Sequence, residues 1–273
     1  WAWGYNFYGQ LGDGSNVNKS IPTQIGTDTN WQSVQGGTGH TLAIKTDGTL
    51  WAWGGNESGQ LGDGSNVNKS TPTQISNDSN WQSVQAGYEH SIAIKADGTL
   101  WGWGRNNYGQ LDDAINANSY SPIQIGNETN WQTVQAGYFY NIAIKNDGTL
   151  WAWGQNSNGQ IGDGTTVNKS VPTQIGNESN WQSAQAGWDH TLAIRIDGTL
   201  WAWGSNEYGQ LGDGNTVDKL SPIQIGNESN WQSVQTGSAN SFAIKTDDTL
   251  WAWGNKEQGR LGFINRGDIF TPT

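Results

Sequence analysis

The chain has 273 residues, with 13 Lys and Arg against 24 Asp and Glu and a net charge of −11. That acidity argues against a nucleic-acid surface, which needs clustered positive charge to release phosphate counterions. The absence of Cys excludes disulfides and thiolate metal sites, and no apolar run approaches a membrane span.

Aliphatic and aromatic residues make up 33% of the chain. With Gly counted as apolar, the fraction suffices for a core of Trp, Leu, Ile, Val and Ala. No signal-peptide pattern is present. There is no Met, so the native N-terminus is expected to lie outside this sequence. The compartment stays open. Near-identical copies and an Asn-, Gln-, Gly- and Thr-rich composition lean towards an extracellular or secreted bacterial setting.

The dominant feature is an internal period of fifty. Blocks beginning at 1, 51, 101, 151 and 201 align without a gap, and 251–273 form a partial block. All six prolines share one register, Pro22 through Pro272, and seventeen of eighteen Trp recur at three fixed positions. Trp188 is the exception. Such periodicity marks a repeat architecture whose units cover one another.

In chain order each repeat offers four strand-like runs and no helix. Run C, as in Leu50-Trp51-Ala52-Trp53, alternates with period two and puts both indoles on one face. Run D, Pro72 to Ile75, opens with a proline and suits an edge strand. Run A (Trp81 to Gln85) and run B (His90 to Lys95) are short and β-rich. Asp47-Gly48 between B and C predicts a type I′ hairpin with positive φ at both residues. Asp247-Asp248 in the fifth copy predicts a strained or different turn.

A four-stranded antiparallel unit at this period is a propeller blade. The expectation is one all-β β-propeller domain over 1–273, with repeats 1–50, 51–100, 101–150, 151–200 and 201–250 and a partial 251–273. Twenty-two runs give about five and a half blades. Open blade edges invite pairing, so the chain reads as a six- or seven-bladed ring, a fragment of one, or one ring-completing half of a homodimer.

The repeated Trp-Gly-x-Asn-x-x-Gly-Gln-Leu-Gly, Gly-x-x-His-Thr-Leu-Ala-Ile and Asp-Gly-Thr-Leu-Trp-Ala-Trp-Gly closely resemble the regulator of chromosome condensation repeat family, across essentially the whole chain. The resemblance implies a β-propeller, usually seven-bladed. The family includes a nuclear guanine-nucleotide exchange factor, ubiquitin-ligase modules and a secreted bacterial β-lactamase inhibitor, the last a distant likeness here. The exchange factor fits poorly: its chromatin role needs basic surface and its exchange role a wedge-like insertion, and no copy here carries one.

Antiparallel order places A–B and C–D loops on one side of each blade, the top. The A–B loops read Thr38-Gly39, Tyr88-Glu89, Tyr138-Phe139-Tyr140, Trp188-Asp189 and Ser238-Ala239, swaps that change chemical class. The C–D loops vary too, with Phe7 and Arg105. The D–A loops swap Asp28 and Asp78 for Glu128, Glu178 and Glu228, which is nearly neutral chemically; one other bottom position breaks that pattern, reading Thr46, Ala96, Asn146, Ile196 and Thr246. Aromatic residues on a wet loop supply contact area at low entropic cost. Phe7, Tyr88, Glu89, Arg105, Tyr138, Phe139, Tyr140, Trp188 and Asp189 are therefore the candidate partner-binding residues, of a non-enzymatic protein-binding propeller. A carbohydrate-binding propeller and a ligand-free scaffold, with the rings merely covering the blades, are the alternatives.

No catalytic, cofactor or metal residue is expected. His40, His90 and His190 share one register and read as structural, each ring bonding a neighbouring backbone. Leu11 to Ser20 faintly resembles a calcium loop but lacks the closing Glu, so loop chemistry with a left-handed Gly14 is expected. The Trp-x-Trp pairs read as blade packing, and Lys19, Lys69, Lys169 and Lys219 as solvated. Asn-x-Ser/Thr sequons matter only in a eukaryotic secretory setting. Arg266-Gly267-Asp268 matches an adhesion tripeptide too short to carry weight. Phe263, Ile264, Ile269 and Phe270 are expected to cap a blade edge.

Overall fold

The computed structural model describes residues 1–111, 116–262 and 268–273. The expected capping by Phe263 and Ile264, the Arg266-Gly267 pair, and Asp112 to Ile115 of the third loop lie outside them. The chain divides into two compact units, Trp1–Phe139 and Tyr140–Thr273.

The first unit opens with the pair β1 (Ala2–Gly4) and β2 (Lys19–Thr23). A four-stranded antiparallel sheet follows: β3 (Trp31–Gly36), β4 (His40–Lys45), β5 (Leu50–Gly54) and β6 (Lys69–Gln74). The next sheet repeats it with β7 (Trp81–Ala86), β8 (His90–Lys95), β9 (Leu100–Gly104) and β10 (Ser119–Ile125). The unit closes with β11 (Trp131–Ala136).

The second unit holds β12 (Tyr140–Lys145), β13 (Leu150–Gly154) and β14 (Lys169–Gln174), then the four-stranded β15 (Trp181–Ala186), β16 (His190–Arg195), β17 (Leu200–Gly204) and β18 (Lys219–Gln224). A last sheet has β19 (Trp231–Thr236), β20 (Asn240–Lys245) and β21 (Leu250–Gly254). The final D run keeps, among the described residues, a bridge between Gly254 and Ile269 and a bond from the Ala252 amide to the Thr273 carbonyl at 3.0 Å. Ile269 does cap, packing on the cluster around Trp253, while Phe270 stays partly exposed. No described helix is long and apolar enough to cross a membrane.

The core lies between consecutive sheets. Leu42, Ile44, Leu50 and Ala52 of one blade meet Trp81, Val84, Ala93 and Trp103 of the next. The second unit repeats this with Ile142, Ile144 and Leu150 against Trp181 and Trp203. The period-two alternation of run C thus gives its two faces to two different neighbours. Gly62, at φ +79°, is required here: an added Cβ would lie 2.8 Å from the Trp103 indole nitrogen.

Run D starts earlier than its proline, at Lys69, and pairs with run C through a bulge between the Ala52–Thr73 and Gly54–Lys69 pairs. Pro72 sits inside that bulge, where no ladder bond is lost. The B–C turn also differs from expectation. Gly48 has φ +77° but Asp47 is not left-handed; the Gly48 amide donates to the Lys45 carbonyl at 2.9 Å. This is a type I turn followed by a left-handed glycine, the longer hairpin that Asp-Gly also serves. Asp248 adopts φ +63°, so the fifth turn keeps the shape with a non-glycine residue.

The other repeated polar residues are structural. His40 Nε2 lies 2.9 Å from Ser91 Oγ in the next blade, so its partner is a side-chain hydroxyl rather than backbone. Lys19, expected to be solvated, instead pairs with Asp13 at 3.0 Å, and Lys69 with Asp63 at 3.2 Å. Gly14 is left-handed as expected, φ +81°.

Candidate partner-binding surface

The two variable loops of each blade do share one side. The Gly55 amide donates to the Gly39 carbonyl at 2.7 Å, and the Arg105 amide to the Glu89 carbonyl at 2.8 Å. These bonds tie each A–B loop to the C–D loop of its own blade.

In the first unit the expected residues converge. The Tyr88 and Tyr138 rings are 4.3 Å apart between centroids, and Phe139 packs edge-on against both, at 5.3 and 4.4 Å. Tyr108 adds a ring 5.0 Å from Phe139. The Arg105 guanidinium lies 4.8 Å over Phe139 and bonds the Glu89 carboxylate at 2.8 Å. Ser58 Oγ donates to the same carboxylate at 3.2 Å. Burial pushes the Tyr138 phenol up to about 12, helped by its bond with Tyr88. Phe139 is buried, so it supports this cluster from beneath, while Tyr88 and Tyr138 remain partly exposed.

Phe7 belongs to a second group in this unit. It is exposed, stacks 6.3 Å from Tyr5 and meets Tyr8 edge-on at 5.2 Å. A cleft of about 110 Å³ opens between Tyr8 and Tyr88 and is lined by Glu57, Gln60 and Glu89.

In the second unit Trp188 is 49% exposed. Its neighbour Asp189 accepts a bond from Gln160 Nε2 at 3.0 Å. Burial, and then Asp218, raises the Asp189 carboxyl. Tyr140 departs from the expected set. It is fully buried, donates to the His190 carbonyl at 2.6 Å and lies 3.0 Å from Thr191 Oγ1. It fills the histidine register and replaces the histidine's bond to the next blade, so it presents nothing to a partner.

Among the described residues, no group of three or more His, Asp or Glu is arranged to hold a metal ion. The Asp13-to-Asn18 loop is organised internally: buried Asn6 Nδ2 donates to Asp13 Oδ1 at 3.1 Å and to the Ser15 carbonyl at 3.0 Å.

The profile of the regulator of chromosome condensation (RCC1) repeat matches residues 1–44, 47–94, 97–144, 147–194 and 197–244. The chain belongs to the RCC1 repeat family. No curated protein sequence matches it. Among solved structures, human WBSCR16 superposes with a TM-score of 0.85 at 21% identity, covering 99% of this chain and 77% of that one. Yeast RCC1 (Prp20), solved bound to Kap60, gives 0.67 at 21% identity, covering 99% and 82%. Prp20p from Saccharomyces cerevisiae, in a study of its binding to Gsp1p and histones, gives 0.65 at 20% identity, covering 99% and 84%. These likenesses show the fold: an all-β RCC1-type propeller built of repeated four-stranded blades.

Within this RCC1 scaffold the cleft beside Tyr88 has no sequence signature. Its walls are side chains, but its space comes from Gly39 and Gly55, where other repeats carry larger residues. Missing side chains leave no motif.

Proposed function

We propose that this chain is a non-enzymatic protein-binding propeller, and that the top loops of its first unit form the recognition surface. The carrying observation is the Tyr88–Tyr138 stack, 4.3 Å between centroids, supported by Phe139 and the Arg105–Glu89 pair. Rings held by neighbours lose little entropy on binding, which favours them as anchors. Family members solved with or tested against Kap60, Gsp1p and histones agree with a protein partner in kind. Trp188, half-exposed in the second unit, is a further contact residue of this proposal.

Comparative affinity capture tests the reading. The intact chain, a Tyr88/Tyr138/Trp188 triple-alanine variant and Ile196→Thr serve as baits. Ile196 is exposed on a bottom loop, and the first and fifth repeats carry Thr46 and Thr246 there. A protein held by the intact chain and by Ile196→Thr, and lost by the triple variant, supports it. Retention by all three overturns it. Saturable glycan-array binding lost with Trp188→Ala favours a lectin instead.

A further inference from the structure

The cleft between Tyr8 and Tyr88 holds an unmet hydrogen-bond donor. Gln60 is 5% exposed, and its Oε1 accepts the Ser58 amide at 3.0 Å. Its Nε2 has no acceptor among the described residues. Register-equivalent glutamines are satisfied in the second unit: Gln160 Nε2 bonds Asp189 Oδ1 at 3.0 Å, and Gln210 Nε2 bonds Ser205 Oγ at 3.2 Å. Both solutions are removed around Gln60. Glu89, in the register of Asp189, is drawn off by Arg105 and Ser58. Gly55, in the register of Ser205, has no side chain. This amide donor has no protein acceptor among the described residues and lines an open cleft, where an entering carbonyl can take it.

The glycines create the space. A Cβ on Gly55 would lie 3.6 Å from Gln60 Nε2 and 3.6 Å from Tyr8 Cβ; one on Gly39 would lie 3.3 Å from the Tyr8 ring. The cleft, about 110 Å³, has room for several waters, each needing about 10–15 Å³ on the same measure, and so for the end of a long side chain. Two tyrosine rings favour a cation over their faces. Glu57 is exposed and bonded to no cation among the described residues. The chain's net charge of −11 draws basic partners.

We infer that this cleft takes a lysine or arginine side chain of the protein partner. The cation sits between Tyr8 and Tyr88 and meets Glu57, while Gln60 Nε2 donates to a backbone carbonyl of the same segment. This rests on the protein-binding reading above and names the chemistry it recognises.

The test uses the full chain and blocked Gly-Gly-X-Gly-Gly peptides with X as Arg, Lys or Glu, followed through the Gln60 side-chain amide by NMR. The Arg and Lys peptides are expected to shift that amide saturably, and the Glu peptide to leave it unmoved. Glu57→Gln, and Gly55→Ser, which restores the Ser205–Gln210 arrangement, are each expected to weaken binding about tenfold. No shift at millimolar Arg or Lys peptide, affinities unchanged in both variants, or a shift produced instead by methyl glucoside would overturn the inference. The captured partner separates the two claims. A partner lost with Tyr138→Ala but kept by Gly55→Ser removes the cationic pocket and leaves the protein-binding reading. A chain that captures nothing removes that reading, and the peptide titration still decides the pocket.

Discussion

His190 Nε2 lies 3.0 Å from the Oγ of Ser241, fifty-one residues further along the chain. The serine hydroxyl donates onward to the Gln210 carbonyl at 2.7 Å, so the imidazole must supply the proton between them. His40 and Ser91 repeat the arrangement with the Gln60 carbonyl. Each latch joins neighbouring blades through a neutral, buried ring.

That latch makes stability sensitive to acid. Burial lowers His190 to about 4, and burial with the charge of His90 lowers His40 to about 3. An unfolded histidine titrates near 6.5, at roughly the model-peptide value. Between that value and the folded ones the unfolded chain binds more protons, so stability is full above pH 6.5 and falls as the pH drops. His190→Asn, which copies the natural Asn240, is expected to flatten the loss. Urea midpoints at about pH 7, 5.5 and 4.5 measure it; an unchanged slope would contradict the latch.

Asp248 at φ +63° occupies a position that is glycine in the other four complete repeats. A left-handed non-glycine residue costs about 1 kcal/mol. Asp248→Gly is expected to raise the urea midpoint by slightly less than this implies, because glycine also enlarges the unfolded ensemble.

Lys95 lies 4.6 Å over Trp81 and 3.9 Å over Trp101, and pairs with Asp78 at 2.7 Å. Arg195 makes the same sandwich with Trp181 and Trp201. Lys95→Ala is expected to cost about 2 kcal/mol through lost cation–π contact and lost stem packing. Lys95→Arg is expected to stay within about 1 kcal/mol of the parent, since the fold already accepts Arg there. Paired urea titrations distinguish the two.

Asn56 is buried and organises a whole loop. Its Nδ2 reaches Asp63 and the Ser65 carbonyl, each at 3.0 Å, and its Oδ1 takes the Leu61 amide at 2.9 Å. Asp63 in turn holds Lys69. Asn56→Ala is expected to cost about 3 kcal/mol, because several buried groups lose partners at once. Lys69→Ala, at the exposed end of the same network, is expected to cost less than about 1 kcal/mol. Thermal midpoints of the two variants give the order.

The blades were legible because their signal is repeated: alternation in Leu50-Trp51-Ala52-Trp53 recurs in every copy and fixes both faces. The turn at Asp47-Gly48 is not legible from the dipeptide, which serves two hairpin lengths, and only the backbone bond from Gly48 to Lys45 separates them. Lys19 looked solvated because its partner Asp13 is brought back by a loop closed around buried Asn6. Tyr140 looked like its neighbours Tyr138 and Phe139, yet β-strand alternation turns it inward to the histidine position. The clustering of Tyr88 with Tyr138 follows from the period of fifty; the cleft does not, being made by glycines.

The most direct test of the recognition surface is the dissociation constant of the captured protein for the intact chain and for Tyr138→Ala. Loss of a clustered aromatic anchor is expected to weaken binding by about 2 kcal/mol, roughly thirtyfold, while Ile196→Thr leaves it unchanged. Equal affinity of the intact chain and Tyr138→Ala, or equal weakening by Ile196→Thr, would contradict the assignment of that surface.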